Sequence, residues 1–377
     1  MPTPFEPVRI GSLELTNRFV RSATWEGMAA EDGSSSTKLN ALMGHLAKNE
    51  IGLIITGHAY VSPEGQAGPW QLGIHSDAML PGLTEMTAKV HQAGGKICCQ
   101  LAHAGNRGAR ALTNLEPWGP SVQDFKGKAR DCRAMTADDI QTLIQAFAAA
   151  AARAKKAGFD AVQIHSAHGY LLGQFLSPFY NLRQDQYGGN RENRERLVMD
   201  VYAAVRQAVG PDYPVLIKLN AHDYMLYTEN SYTPEDMLSI CARLSAAGID
   251  AVEMSGGTID SRQNIPSRMG IIKFDREGFH RKAALMYKEQ IKDTPLMLVG
   301  GIRSIEKAES FIKDGICDFI SLCRPLIREP NLIKRWKDGD RAKAECMSDN
   351  LCYKPARAGE GLYCLLKKMQ LENKKEK

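Results

Sequence analysis

Short apolar, β-branched runs that end in glycine, histidine or serine recur along the whole chain, at 18–24, 53–61, 96–103, 161–168, 214–221, 251–257, 296–301 and 319–326. Each reads as a strand. Between them apolar positions fall at helical spacing over 37–49, 80–92, 136–157, 191–209, 233–247, 276–291 and 304–314, and 328–337 follows the last strand. Two of these helices announce their starts: Thr136 and Thr233 each precede an acid by three positions, the pattern of a capping box. Glycines 94, 158, 210, 248 and 315 stand between a helix and the next strand, where helices close. Eight β/α alternations predict an α/β protein built as a single (β/α)8 TIM barrel. A doubly wound sheet would want a Gly-x-Gly-x-x-Gly turn after an early strand, and the chain has none. Ahead of the first strand, residues 8–15 alternate around Gly11-Ser12, which predicts a β-hairpin capping the barrel floor. The expected organisation is a barrel over 1–340 and a short cysteine-containing extension over 341–377, packed on or beside it.

Bulk properties narrow the class. At 377 residues the chain is long enough for one large barrel. Its formal charge of +5 is spread among interleaved acids and bases, which argues against a nucleic-acid partner. No apolar run approaches the roughly 20 residues that span a membrane. No signal-peptide pattern opens the sequence, so a cytoplasmic location is expected. The basic tail 367–377 reads as a solvated helix end. Nine cysteines, an odd and scattered set, suggest reduced thiols. Two stretches rich in Gly, Pro, Asn and charge, 104–135 and 169–190, follow strands and are expected as walls of a site at the C-terminal face.

Side chains at the C-terminal ends of barrel strands converge on one mouth however far apart they lie in sequence. Those ends carry Ser22-Ala23-Thr24, Thr56-Gly57-His58, Gln100 and His103, His165 and His168, Lys218 and Asn220, Ser255-Gly256-Gly257, Gly300-Gly301, and Arg324 on strand eight. Glycines after strand seven let backbone N–H groups approach an anion, and an arginine on strand eight can clamp phosphate oxygens in a bidentate pair. A phosphorylated cofactor or substrate is therefore expected. Lys218 interrupts the apolar run 215–219, so its ammonium should point into the mouth. There it could stabilise an anion, form a Schiff base, or pair with an acid. His165 and His168, in His165-Ser-Ala-His168-Gly-Tyr170, lack a third ligand at a fixed short spacing, which speaks against a metal. Two readings stay open for them: core histidines satisfied by backbone carbonyls, or paired donors aimed at a substrate oxygen.

These residues and their order resemble the Old Yellow Enzyme family of FMN-dependent NAD(P)H oxidoreductases, from about Phe5 to Trp336. The resemblance rests on Asn17-Arg18, Ser22-Ala-Thr24, Gln100-Leu-Ala-His103-Ala-Gly105, the His165 to Tyr170 motif, Phe175-Leu-Ser-Pro178 with Asn181 and Arg183, Tyr187-Gly-Gly189 with Asn193-Arg194, Leu298-Val-Gly-Gly-Ile302, and Cys323-Arg-Pro325. It implies FMN across the mouth, with phosphate held by Gly300, Gly301, Cys323 and Arg324. It also places Ser22, Ala23, Thr24, Trp25, Gly57 and His58 around the ring, Gln100 on the pyrimidine edge and Lys218 near N1 and the C2 oxygen. NADH or NADPH would be the reductant. His165 and His168 would then bind the carbonyl of an α,β-unsaturated substrate, such as an enone, and Tyr170 would give the proton. Family members form dimers or larger assemblies, so a homo-oligomer is expected by analogy.

Two positions depart from the family. His58 is bulky for a residue under a flavin and could face substrate, and the register leaves either Thr24 or Trp25 at the flavin O4 edge. Cys346, Cys352 and Cys364 resemble the iron–sulfur segment of larger, dienoyl-CoA-reductase-like members, but Asp349 stands where a fourth cysteine belongs. Four cysteines are the normal set, so a remnant without a cluster is expected. The rival enzyme class is a phosphate-binding barrel lyase or isomerase working through a Lys218 Schiff base.

Overall fold

A computed structural model describes residues 2–122, 124–125, 128–129, 131–225 and 227–375. The eight apolar runs become β1 Phe19–Arg21, β2 Leu53–Ile55, β3 Ile97–Ala102, β4 Ala161–Ser166, β5 Val215–Asn220, β6 Ala251–Ser255, β7 Leu296–Leu298 and β8 Phe319–Leu322. They pair in parallel in chain order, and β8 pairs back onto β1, closing the barrel. Around them lie α1 Thr37–Ala47, α2 Leu80–Gln92, α3 Ala137–Lys156, α4 Arg191–Val209, α5 Pro234–Ala246, α6 Arg281–Gln290, α7 Ile305–Lys313 and α8 Leu332–Lys337. The fold is a (β/α)8 barrel. Both predicted capping boxes are present, at Thr136 with Asp139 and Thr233 with Asp236.

Alternation explains how one strand serves two cores. On β5, Val215, Ile217 and Leu219 pack outward under the helices, while Leu216 joins the apolar barrel interior. The helices answer with one apolar stripe; on α3 it comprises Ile140, Leu143, Ile144, Phe147, Ala150, Ala151 and Ala154. The inner cluster takes Val20, Leu53, Ile55, Cys98, Ala161, Leu216, Ala251, Met297 and Phe319, drawing on every strand. Ile10, Leu13 and Leu15 of the antiparallel hairpin Val8–Ile10 and Leu13–Leu15 complete this cluster, so the hairpin plugs the floor as the sequence suggests.

Several strands are shorter than their apolar runs, because a run continues into the loop that carries the functional groups. The run 53–61 breaks at Thr56-Gly57-His58 and resumes as Ala59–Tyr60. Arg324, expected on strand eight, instead opens the short helix Arg324–Arg328. Pro325 suits that first turn, where its fixed φ is helical and its missing N–H is not needed. The helix expected over 328–337 starts only at Leu332, after Pro330.

The segment after residue 340 folds back over the mouth. Arg303 and Ala344 exchange hydrogen bonds, Leu362 N donates to Glu26 O at 2.8 Å, and Cys352, Ala356 and Leu362 pack with Trp25, Met28 and Ile327. Among the described residues no helix is long and apolar enough to cross a membrane.

Candidate active site

The C-terminal ends of the strands surround a cavity of about 580 Å³, a volume typical of cofactor and ligand sites. Ser22, Ala23, Thr24, Trp25, His58, Gln100, His165, His168, Tyr170, Lys218, Gly300, Gly301, Cys323 and Arg324 all line it. Gly57 does not. Its N–H donates to Glu26 Oε1 at 3.0 Å, and a Cβ there would lie 2.2 Å from Glu26 Oε2, so this glycine lets the chain pass a buried carboxylate. That carboxylate in turn pairs with buried Arg21 at 2.8 Å.

One wall is built by the β4 end. His168 has φ 63°, a left-handed conformation costly for a non-glycine residue, and its N–H donates to Asn220 Oδ1 at 3.1 Å. This turn brings His165, His168 and Tyr170 together, with ring centroids 5.2 Å apart for the two histidines and 5.1 Å for His165 and Tyr170. His168 Nε2 lies 2.7 Å from Ser255 Oγ, whereas buried His165 Nδ1 has no hydrogen-bond partner. Tyr170 Oη lies 3.2 Å from His58 Nε2.

Burial dominates the electrostatics of this wall. Desolvation, then the neighbouring His168, Lys218 and His58, holds His165 well below the usual imidazole range. Desolvation followed by Lys218, His280 and His58 does the same to His168. The His58 imidazole is pushed down to about 4 by burial and then by Lys218. Burial pushes the Tyr170 phenol up to about 12, against the partial opposition of Arg107. The wall therefore offers neutral imidazoles and a protonated phenol at neutral pH.

On another side Lys218 Nζ lies 3.0 Å from Glu253 Oε2 and donates to Ser22 Oγ at 3.0 Å. The lysine is thus an ion-paired ammonium, which disfavours the Schiff-base reading. Gln100 Nε2 donates to Gln163 Oε1 at 2.7 Å. At the β7 and β8 ends the carbonyl of Gly300 accepts from Gly278 N at 2.8 Å, and Gly301 (φ 72°) admits no Cβ, since one would lie 2.6 Å from Ile271 Cγ2. Arg324 Nη1 donates to Asn350 Oδ1 at 2.8 Å, and the buried Ser321 hydroxyl nearby has no partner. Glycine turn, arginine and orphan hydroxyl together fit a phosphate-bearing group, while Lys218 and Gln100 fit an electron-accepting ring with an amide-like edge.

Residues 4–343 match the model of the NADH:flavin oxidoreductase / NADH oxidase family. The chain belongs to that family. Among curated relatives, it is 34% identical over 358 residues to an NADH oxidase of Thermoanaerobacter brockii, covering 93% of this chain and 53% of the relative. It is likewise 34% identical over 327 residues to an NADPH dehydrogenase of Geobacillus sp. (strain WCH70), covering 86% of this chain and 91% of the relative. The chain thus spans about half the length of the first relative and nearly all of the second. An Old Yellow Enzyme homologue from Zymomonas mobilis superposes with a TM-score of 0.77 at 28% identity, over 91% of this chain and 94% of that one. This member is an FMN-dependent NAD(P)H oxidoreductase.

The structure also corrects the expected walls. Among the described residues, 104–135 contributes nothing to the cavity lining and 169–190 contributes only Tyr170. Further lining comes instead from Ile259, Ile265, Pro266 and Ser267 after β6, from Phe279 and His280, and from Ser348, Asn350, Tyr353 and Arg357 of the extension. Sequence reasoning also missed Gln163 and Glu253 beneath the cavity. Their signal was available, since each is a polar residue inside an apolar strand, as Lys218 is. Nothing comparable marks the extension, whose approach depends on tertiary folding. Among the described residues no three His, Cys, Asp or Glu side chains converge to hold a metal ion.

Proposed function

We propose that this oxidoreductase reduces the activated C=C bond of α,β-unsaturated carbonyl compounds, using NADH or NADPH. The observation that carries the reading is the shared cavity: two neutral histidines and a protonated tyrosine face Lys218, Gln100 and the Gly300–Arg324 cradle. The chemistry that FMN would supply here, when bound, is hydride transfer from nicotinamide to substrate. Gly300, Gly301, the Cys323 backbone and Arg324 would hold its phosphate; Ser22, Ala23, Thr24, Trp25 and His58 would border its ring; Gln100 and Lys218 would meet the pyrimidine side. A fixed cation there favours the negative charge that reduction brings.

The substrate carbonyl oxygen is bound by the imidazoles. His165 and His168 both line the cavity, and His168 serves as Ser255 yields its contact. Hydrogen bonds at that oxygen draw electron density from the β-carbon, and they strengthen as enolate charge develops. Tyr170 then releases its phenolic proton to the α-carbon, with His58 Nε2 beside the oxygen that is left charged.

The barrel is the catalytic unit in this proposal, and the extension after residue 340 closes its mouth without an iron–sulfur cluster. Cys346, Cys352, Cys364 and Asp349 border a space of about 10 Å³, room for one water.

The test begins with the absorption spectrum of purified protein, which is expected to show flavin bands alone. Anaerobic reduction by each nicotinamide and reoxidation by a simple cyclic enone should follow. Colourless protein that takes up no FMN would overturn the cofactor assignment, and reduced protein inert to enones the substrate class. Iron in the preparation, with a broad visible shoulder that bleaches with dithionite, would overturn the reading of the cysteine segment.

A further inference from the structure

Below the cavity, inside the barrel, two side chains that line the site are joined through two that do not. Gln100 Nε2 donates to Gln163 Oε1 at 2.7 Å, and Gln163 Nε2 donates to Glu253 Oε2 at 2.9 Å. The same carboxylate oxygen lies 3.0 Å from Lys218 Nζ. Barrel register makes this arrangement: Gln163 is the lateral partner of Gln100, and Glu253 that of Lys218. Gln163 and Glu253 are fully buried, and Glu253 Oε1 has no hydrogen-bond partner. A buried carboxylate left half-satisfied is costly, and apolar packing would serve stability as well.

The chemistry of the chain has a fixed direction. A carboxylate only accepts hydrogen bonds, so Gln163 must turn its NH2 toward Glu253 and its carbonyl toward Gln100. Gln100 must then spend an N–H on Gln163, which leaves its own carbonyl oxygen and second N–H for other partners. Glu253 therefore sets, through Gln163, which way the Gln100 amide is turned. Through Lys218 it sets how much positive charge the floor of the cavity carries.

We propose that Glu253 is a positioning residue that tunes the flavin site from beneath, offsetting the Lys218 charge and orienting the Gln100 amide. This rests on the reading that Lys218 and Gln100 meet the pyrimidine side of FMN. The consequence is electrostatic and signed. Without Glu253 the lysine charge is uncompensated and reduction of the ring becomes easier. Without Lys218 the carboxylate is uncompensated and reduction becomes harder.

The experiment measures the midpoint potential of bound FMN by dye equilibration, and the FMN dissociation constant, in wild type, Glu253→Gln, Lys218→Met, the double variant and Gln163→Leu. The expected order of potentials, most positive first, is Glu253→Gln, then wild type and the double variant close together, then Lys218→Met. Gln163→Leu keeps the ion pair and cuts the link to Gln100; it should leave the potential near wild type and weaken FMN binding about tenfold, the scale of one hydrogen bond. A Glu253→Gln potential equal to wild type, or single variants that shift in the same direction, would overturn the proposal. If Glu253→Gln does not fold, the double variant decides the matter, because its potential must lie above that of Lys218→Met. Wild-type protein that takes up no FMN would defeat the underlying reading and this proposal together. Protein that binds FMN but does not turn over enones leaves the potentials, and the proposal, fully testable.

Discussion

Along a single barrel strand the inward side chains change character from floor to mouth. On β5 they run Leu216, Lys218, Asn220; on β4 Ala161, Gln163, His165; on β6 Ala251, Glu253, Ser255. The lower member of each set belongs to the apolar cluster closed by the N-terminal hairpin, and the upper members are buried polar groups. Floor and mouth share the same strands, the same hydrogen-bonded ladder and nearly the same burial. They differ in what the buried atoms can do. The floor is closed by contacts that hold the barrel shut, whereas the mouth retains a left-handed His168 and unpartnered atoms at His165 and Ser321. Unsatisfied polar groups are tolerated where another molecule completes them. The two ends should therefore respond oppositely to substitution: chemistry is lost at the mouth and stability at the floor.

The largest effect expected is at Tyr170. Tyr170→Phe should slow the enone half-reaction by about 10²–10⁴-fold, the usual contribution of a positioned acid, and leave flavin reduction by nicotinamide unchanged. Stopped-flow measurement of the two half-reactions checks this, and equal losses in both would remove the distinction between an acid and a packing role. Next comes the floor. Phe319→Ala empties part of the plug and should cost about 3–5 kcal/mol in urea unfolding, while the FMN spectrum and midpoint potential stay as in wild type. A shifted potential would show that floor and mouth are not separable.

His165→Ala should reduce enone turnover by about 10²–10³-fold, the cost of one donor at a developing oxyanion, and weaken phenolate binding. His168→Ala should cost less, because Ser255 remains beside that site. The reverse order would mean that His168 is the principal donor. At the rim of the barrel, Thr233→Ala removes a capping box on α5 and should lower stability by about 1 kcal/mol with no change in either half-reaction.

The smallest expected effect is that of pH. The Tyr170 phenol, pushed up to about 12, keeps its proton as pH rises until that range is reached. His58, pushed down to about 4, stays neutral as pH falls until that range is reached. The enone half-reaction should therefore be flat over the whole interval between them in which the protein stays folded. A titration near neutrality in the single-turnover rate would show that the wall ionises in a way burial does not predict.

The barrel was readable along the chain because each of its causes is local. Apolar β-branched runs, helical stripes, hydroxyl caps at Thr136 and Thr233 and glycines at helix ends operate within a few residues, and eight repeats leave one economical closure. Most of the site was readable too, since strand ends of a closed barrel must converge; Gln100, His165 and Lys218 are brought together by that rule alone, and Arg324 reaches the same cavity from the helix that follows β8. The rest depended on register and on the path of irregular chain. Whether Lys218 meets an acid is settled by its lateral alignment with Glu253, and the bond from Gln163 to Glu253 by the width of the barrel. The place of Gly57 follows from Glu26, and part of the cavity lining comes from loops and an extension whose composition says nothing about where they land. Elements are dictated by short-range sterics and burial that a sequence displays directly. Contacts between groups far apart in the chain exist only once the barrel has closed, because its geometry decides which of many possible partners come within reach.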